Sequence, residues 1–125
     1  TFREVAPHYG FIERYPAGRE NVTKIGHEPW HFRYVGVPHG MIMTELNLTL
    51  EEYILFLKNY SGKRPYHYER NGLYVSISYW KAVQNGITVI QRQGKSPYSI
   101  SGNNIDGFIL TEWEGSYAAK ELRRT

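Results

Sequence analysis

The chain has 125 residues, enough for one modest core, and 41% hydrophobic against 22% charged residues excludes wholesale disorder. Its net charge of +3 comes without a basic stripe or a nucleic-acid-binding motif, which argues against nucleic acid as a partner. With no cysteine, disulfides and thiolate metal sites are excluded, and no apolar run approaches the roughly 18 residues that mark a membrane-spanning helix.

Residues 2–9 (FREVAPHY) read as a helix end closed by Gly10, with Pro7 an awkward fit inside it. FIERY (11–15) reads as a strand, PAGREN (16–21) as a polar turn, and Val22–Ile25 as a second strand segment. The run GHEPWHFRYVG (26–36) then crowds two histidines, a glutamate, three aromatics and an arginine between two glycines. PWHFRYV alternates as a strand does, which predicts Trp30, Phe32 and Tyr34 on a core-facing side and His31, Arg33 and Val35 on the other. Regular alternation would also separate Glu28 from His31. Pro29 lacks an N–H and restricts Glu28 to extended or turn conformations, so a bend there is expected to reunite them.

PHGMIMTELNL (38–48) reads as a short helix. LTLEEYILFLKNY (48–60) is the clearest one, with Thr49 as cap, Glu52 completing the capping box, and Leu50, Tyr53, Ile54 and Leu57 as its buried stripe. After Ser61-Gly62 the pattern changes. Asn71-Gly72, Asn85-Gly86 and Gly102-Asn103-Asn104 lie between alternating runs, which predicts antiparallel hairpins across residues 65–113. Residues 116–125 read as a polar, helical and frayed tail. The expected fold class is α+β, a small antiparallel sheet with packed helices and a C-terminal β-hairpin extension, divided as residues 1–62 and 63–125.

The chemistry concentrates at Glu28 and His31. A neutral imidazole can bind zinc, whose water acidifies toward neutrality, while a nearby carboxylate takes the water's proton. Arg33 can hold a carboxylate. On spacing alone, E-x-W-H fits a satisfied histidine in an aromatic-rich strand better than a catalytic one. His27, His8 and His67 read as surface residues, and Asp106 in NNIDG as a turn former. His39 reads as a helix cap or a group supporting the site. Trp30 reads as core, with a wall of the substrate site as its other reading. Tyr74, Tyr79 and Trp80 read as packing for the β-rich part.

The match extends beyond spacing. YGFIERYP, the polar turn, EPWHFRYVG with a following PH, and the capped LTLEEY helix together resemble the VanY-type D-alanyl-D-alanine carboxypeptidases, zinc peptidases that trim peptidoglycan stem peptides. The resemblance runs from about Ala6 to Tyr60, and SISGNNIDGFILT is similar to a β-extension of some relatives. It implies Glu28 as catalytic base, His31 as a ligand of Zn2+, and Trp30, Arg33 and His39 as residues that bind substrate or support the ligands. The implied substrate is a stem peptide ending in D-Ala-D-Ala, at the bacterial cell envelope. The family's further His and Asp ligands lie in an upstream S-x-H-x-x-G-x-A-x-D segment that has no counterpart here. The chain also begins with Thr, so it is expected to be part of an enzyme completed by an N-terminal segment or by another copy. An L,D-carboxypeptidase, a D,D-dipeptidase, and a non-catalytic module that binds wall peptides or a protein are the alternatives.

Overall fold

A computed structural model of the chain describes residues 1–92 and 94–114. It is α+β and divides into two compact units, Thr1–Leu55 and Phe56–Thr125. The tail expected over 116–125 lies outside the described residues.

The first unit opens with α1 (Phe2–Val5), which passes into a 3-10 turn (Ala6–Tyr9) where Pro7 enters. The proline therefore tightens the helix rather than ending it. Gly10 closes the turn at φ 87°, and its carbonyl accepts the N–H groups of Val35 (2.7 Å) and Gly36 (3.2 Å). A Cβ there would lie 2.8 Å from the Gly36 backbone and from the Tyr34 ring, so only glycine fits. Strands β1 (Phe11–Tyr15) and β2 (Glu28–Tyr34) pair antiparallel.

Between the strands, Val22–Ile25 is not a strand. The chain forms a one-turn helix, α2 (Glu20–Thr23), because the Arg19 carbonyl accepts both the Val22 and Thr23 N–H groups. Arg19 is itself anchored by ion pairing with Glu52 and by a 2.9 Å bond to the Asn47 carbonyl. Four residues of β-preferring sequence cannot outweigh that anchorage.

Helix α3 (Val37–Leu46) begins with Pro38 in its first turn and ends at Asn47 in the left-handed conformation. Helix α4 (Leu50–Leu57) runs across the boundary of the two units. Its capping box forms as expected: the Thr49 hydroxyl accepts the Glu52 N–H at 3.1 Å, and Glu52 accepts the Thr49 N–H at 2.9 Å. Tyr53 and Leu57 of the expected stripe are buried, while Leu50 and Ile54 are half-buried. Ala6, Ile12, Ile42, Met43 and Tyr53 form the buried apolar set of this unit.

In the second unit β3 (Tyr66–Arg70), β4 (Leu73–Lys81), β5 (Tyr98–Gly102) and β6 (Gly107–Trp113) make one antiparallel sheet in the order β3-β4-β6-β5. Two of the three expected turns join strands. Asn71 and Gly72, at φ 49° and 85°, link β3 to β4 as a primed turn does. At the β5–β6 turn the Asn103 side-chain carbonyl accepts the N–H groups of Ile105, Asp106 and Gly107, so Asp106 is the turn residue expected. Asp106 also accepts from Lys58 at 2.6 Å. That bond, then one from Asn103, holds its carboxyl down at about 2. The third turn does not make a hairpin. Asn85 is left-handed at φ 56°, yet no strand forms across residues 82–92, where Ile87 is 87% exposed and nothing buried pins a register. Val75, Ile77, Ile109 and Leu110 are buried, and Tyr74, Tyr79 and Trp80 are half-buried in β4 as packing.

His39 does not cap α3, which has no side-chain cap. It stands in the first turn with Nδ1 hydrogen-bonded to the Tyr53 hydroxyl at 2.7 Å. Burial pushes this imidazole down to about 4. The unfolded imidazole titrates near 6.5, so between pH 6.5 and 4 the unfolded chain binds a proton that the fold refuses. His39 therefore lowers stability as pH falls through that window, by about 3 kcal/mol once below it. Chemical denaturation at pH 7.5 and 4.5 should show a smaller pH-dependent loss for His39→Gln than for the parent chain. Equal losses would mean that the imidazole is not shielded.

Candidate active site

The two-stranded sheet of the first unit has two unlike faces. Along β1, Ile12 is buried and the Arg14 side chain only 14% exposed, with Arg14 donating to Glu51 of α4 through two parallel bonds of 3.0 and 2.7 Å. Burial tends to raise the Glu51 carboxyl, but the Arg14 bonds and charge outweigh it and hold it below its ordinary value. Phe11, Glu13 and Tyr15 alternate onto the opposite face. Their cross-strand partners Tyr34, Phe32 and Glu28 share that face.

The register carries a defect. Glu13 faces Phe32, but Tyr15 faces Glu28, so Pro29, Trp30 and His31 together span the place opposite Arg14. This β-bulge, with two extra residues in β2, leaves Phe32, Arg33 and Tyr34 on the faces that regular alternation from Glu28 gives them and takes residues 29–31 out of it. It brings His31 round to the face of Glu28, where its Nδ1 lies 3.0 Å from Glu28 Oε1. The Tyr15 ring packs against the imidazole at a centroid distance of 5.0 Å and an interplanar angle of 81°. The bend expected at Pro29 thus unites the two groups in direct contact, closer than the spacing at which they would share a metal or water.

The bulge also overturns two expectations. Arg33 faces Ile12 and so stands on the side opposite the Glu28–His31 pair, where alternation had put it beside His31. Trp30 is 74% and Tyr34 61% exposed, so this side of β2 is not a core face. Instead Phe32 packs on Phe2 (4.8 Å between ring centroids) and Tyr34 on Phe11 (5.3 Å), as an open aromatic strip next to the pair. His39 contacts Tyr53. Among the described residues no three His, Asp or Glu side chains gather as a metal site.

His27 is an exposed flank, as expected, but it is not alone: its Nε2 lies 3.1 Å from Glu13 Oε1, which Arg3 approaches to 3.5 Å. His8 and His67 are exposed, and His67 contacts the Ser76 hydroxyl at 3.1 Å. The residue that sequence reasoning passed over is Tyr15. Its signal was its place in FIERY, two positions beyond Glu13 and on the same face.

Residues 1–37 match the family model described as VanY, D-alanyl-D-alanine carboxypeptidase. A D-alanyl-D-alanine carboxypeptidase of Enterococcus faecium is 45% identical over 108 residues, covering 86% of this chain and 34% of that protein. The bifunctional D-Ala-D-Ala dipeptidase and carboxypeptidase VanXYC of Enterococcus gallinarum is 52% identical over 52 residues, 42% of this chain and 27% of its own length. Among solved structures, the vancomycin-resistance D,D-dipeptidase VanXYg, in complex with a D-Ala-D-Ala phosphinate analogue, superposes with a TM-score of 0.85 at 46% identity. The match covers 90% of this chain and 45% of that one. The matches therefore span between 27% and 45% of the length of these relatives. The matched family model, the long stretch of identity and the shared fold all agree that this chain is similar to part of the VanY-type D-alanyl-D-alanine carboxypeptidases.

Proposed function

We propose that this chain carries the general base and one metal ligand of a zinc-dependent D-alanyl-D-alanine carboxypeptidase, which removes the terminal D-Ala from peptidoglycan stem peptides. The observation that carries this reading is the 3.0 Å contact of Glu28 with His31 on an exposed sheet face, within the E-P-W-H motif. The donor set fits zinc in kind, an imidazole with a carboxylate beside it. It does not fit in number, because a catalytic zinc takes three protein ligands, and the remaining two must come from residues other than these. When bound, zinc acidifies its water and polarises the scissile carbonyl.

This chain's own residues do the rest. Glu28, at the mouth of β2, accepts the proton of the attacking water on a carboxylate oxygen and delivers it to the departing amine nitrogen. As the C–N bond breaks, the water oxygen stays with the shortened stem peptide and D-alanine leaves. His31 holds its ligand position through the bond to Glu28 and the Tyr15 ring. The open face, with Trp30 exposed on β2, leaves room for a peptide end to approach. We assign this activity to the bacterial cell envelope, where such peptides lie.

A second reading, D,D-dipeptidase activity on free D-Ala-D-Ala, is favoured by the likeness to VanXYg and VanXYC. Both reactions cut the same bond and differ in what precedes it, so release of D-alanine from the dipeptide against a pentapeptide stem separates them.

In the assembled enzyme, Glu28→Gln should cut D-alanine release by about 100-fold or more with zinc retained, because the amide cannot take the proton. His31→Ala should lose zinc and turnover together. Equal zinc loss in both variants would show that Glu28 is a ligand instead. The 125 residues alone should bind zinc weakly and release no D-alanine, and a segment supplying a His and an Asp should restore both. Release by the chain alone would show that its own residues complete the site.

A further inference from the structure

The His31 side chain is 45% exposed on a two-stranded sheet, a setting in which an imidazole samples several rotamers unless something holds it. Two contacts hold it here, the Glu28 carboxylate at Nδ1 and the Tyr15 ring against its plane. We propose that Tyr15 is the positioning residue for His31, keeping the imidazole turned to Glu28, and that the Arg14–Glu51 clamp fixes Tyr15 in turn. The proposal deepens the peptidase reading, which supplies only the purpose for which the imidazole is held.

Geometry supports each step. Tyr15 is the cross-strand partner of Glu28, so the strand pairing places its ring on the face that the bulge gives to His31. The near-perpendicular approach, at 81° and 5.0 Å, is the edge-to-face arrangement that ring quadrupoles favour. A hydrogen bond through Nδ1 alone leaves the imidazole free to swing about that bond, and a ring packed on its flank removes this freedom. The guanidinium carbon of Arg14 lies 4.6 Å from the centroid of the Tyr15 ring. Arg14 cannot follow a moving ring, because both its terminal nitrogens are bonded to the Glu51 carboxylate in fork-to-fork geometry. The sequence thus runs from the first turn of α4 through Arg14 and Tyr15 to the imidazole, and each link is a directional contact.

The test reads the imidazole itself. Long-range 1H–15N spectra of the 125-residue chain, with the His31 ring assigned by its loss in His31→Asn, report the ring's tautomer. The parent chain and Tyr15→Phe should show one dominant tautomer, with Nδ1 protonated toward Glu28. Tyr15→Leu should show a mixture near that of a free imidazole, and its zinc affinity by titration should fall about tenfold, while Tyr15→Phe stays within about twofold of the parent. Unchanged His31 signals and zinc affinity in Tyr15→Leu would overturn the proposal. So would a loss in Tyr15→Phe as large as in Tyr15→Leu, which would assign the effect to the hydroxyl. If Tyr15→Leu fails to fold, the double variant Arg14→Gln/Glu51→Gln removes the clamp without leaving a lone charge, and an unperturbed His31 ring there overturns it equally. An ordered, Tyr15-dependent His31 in an assembled protein that releases no D-alanine would support this inference while contradicting the peptidase reading.

Discussion

The two-residue bulge opposite Arg14 is the constraint on which the site depends. A regular β2 would carry Glu28 and His31 on opposite faces, with one of them turned into the helix-packed side of the sheet. Pro29 cannot donate to the ladder, so pairing yields there at little cost, and the three residues 29–31 arch over a single partner. Beyond the arch the ladder resumes with Phe32 opposite Glu13, and the face is re-established with His31 on it. Bulges re-aim side chains at many functional sites. Here the arch joins a carboxylate and an imidazole that lie three residues apart.

The same few residues also hold the sheet in place. Arg14 lies under the bulge, ties β1 to α4 through Glu51, and backs the ring of Tyr15. The next carboxylate, Glu52, closes the helix N-terminus on Thr49 and receives Arg19. Consecutive glutamates in the first turn of α4 therefore do different work, one fixing the strand and the other fixing the loop between the strands. Anionic groups are favourable at that helix end in any case, which lowers the cost of placing both there. In the second unit Asp106 plays a comparable part, organising its turn through Asn103 and receiving Lys58.

Local chemistry made much of this legible in the sequence. Thr49 and Glu52 spell a capping box and Asn71-Gly72 a primed turn. These signals are satisfied by backbone geometry within a few residues, so they hold wherever the segment ends up. The meeting of Glu28 and His31 was legible too, because Pro29 announces a break. Which way the residues inside a break turn, and which side of the sheet is covered, are set by the rest of the fold, and no residue of β2 encodes them. That is why Arg33 was expected beside His31 and Trp30 in the core. Val22–Ile25 and Asn85-Gly86 failed for opposite reasons. The first was captured by a tertiary anchor at Arg19, and the second has a proper turn but no buried flank to pair.

A carboxylate and an imidazole in contact, backed by an aromatic ring and left open on one side, are the groups on which the proposed peptidase reading rests. The proposed activity stands or falls with His31 as a metal ligand and Glu28 at work beside it. Anomalous diffraction at the zinc edge, from crystals of the assembled protein with zinc and a D-Ala-D-Ala phosphinate analogue, tests this most directly. A zinc peak is expected about 2.0–2.1 Å from an imidazole nitrogen of His31, with the Glu28 carboxylate within hydrogen-bond reach of a phosphinate oxygen. A zinc peak away from an unligated His31 would contradict it.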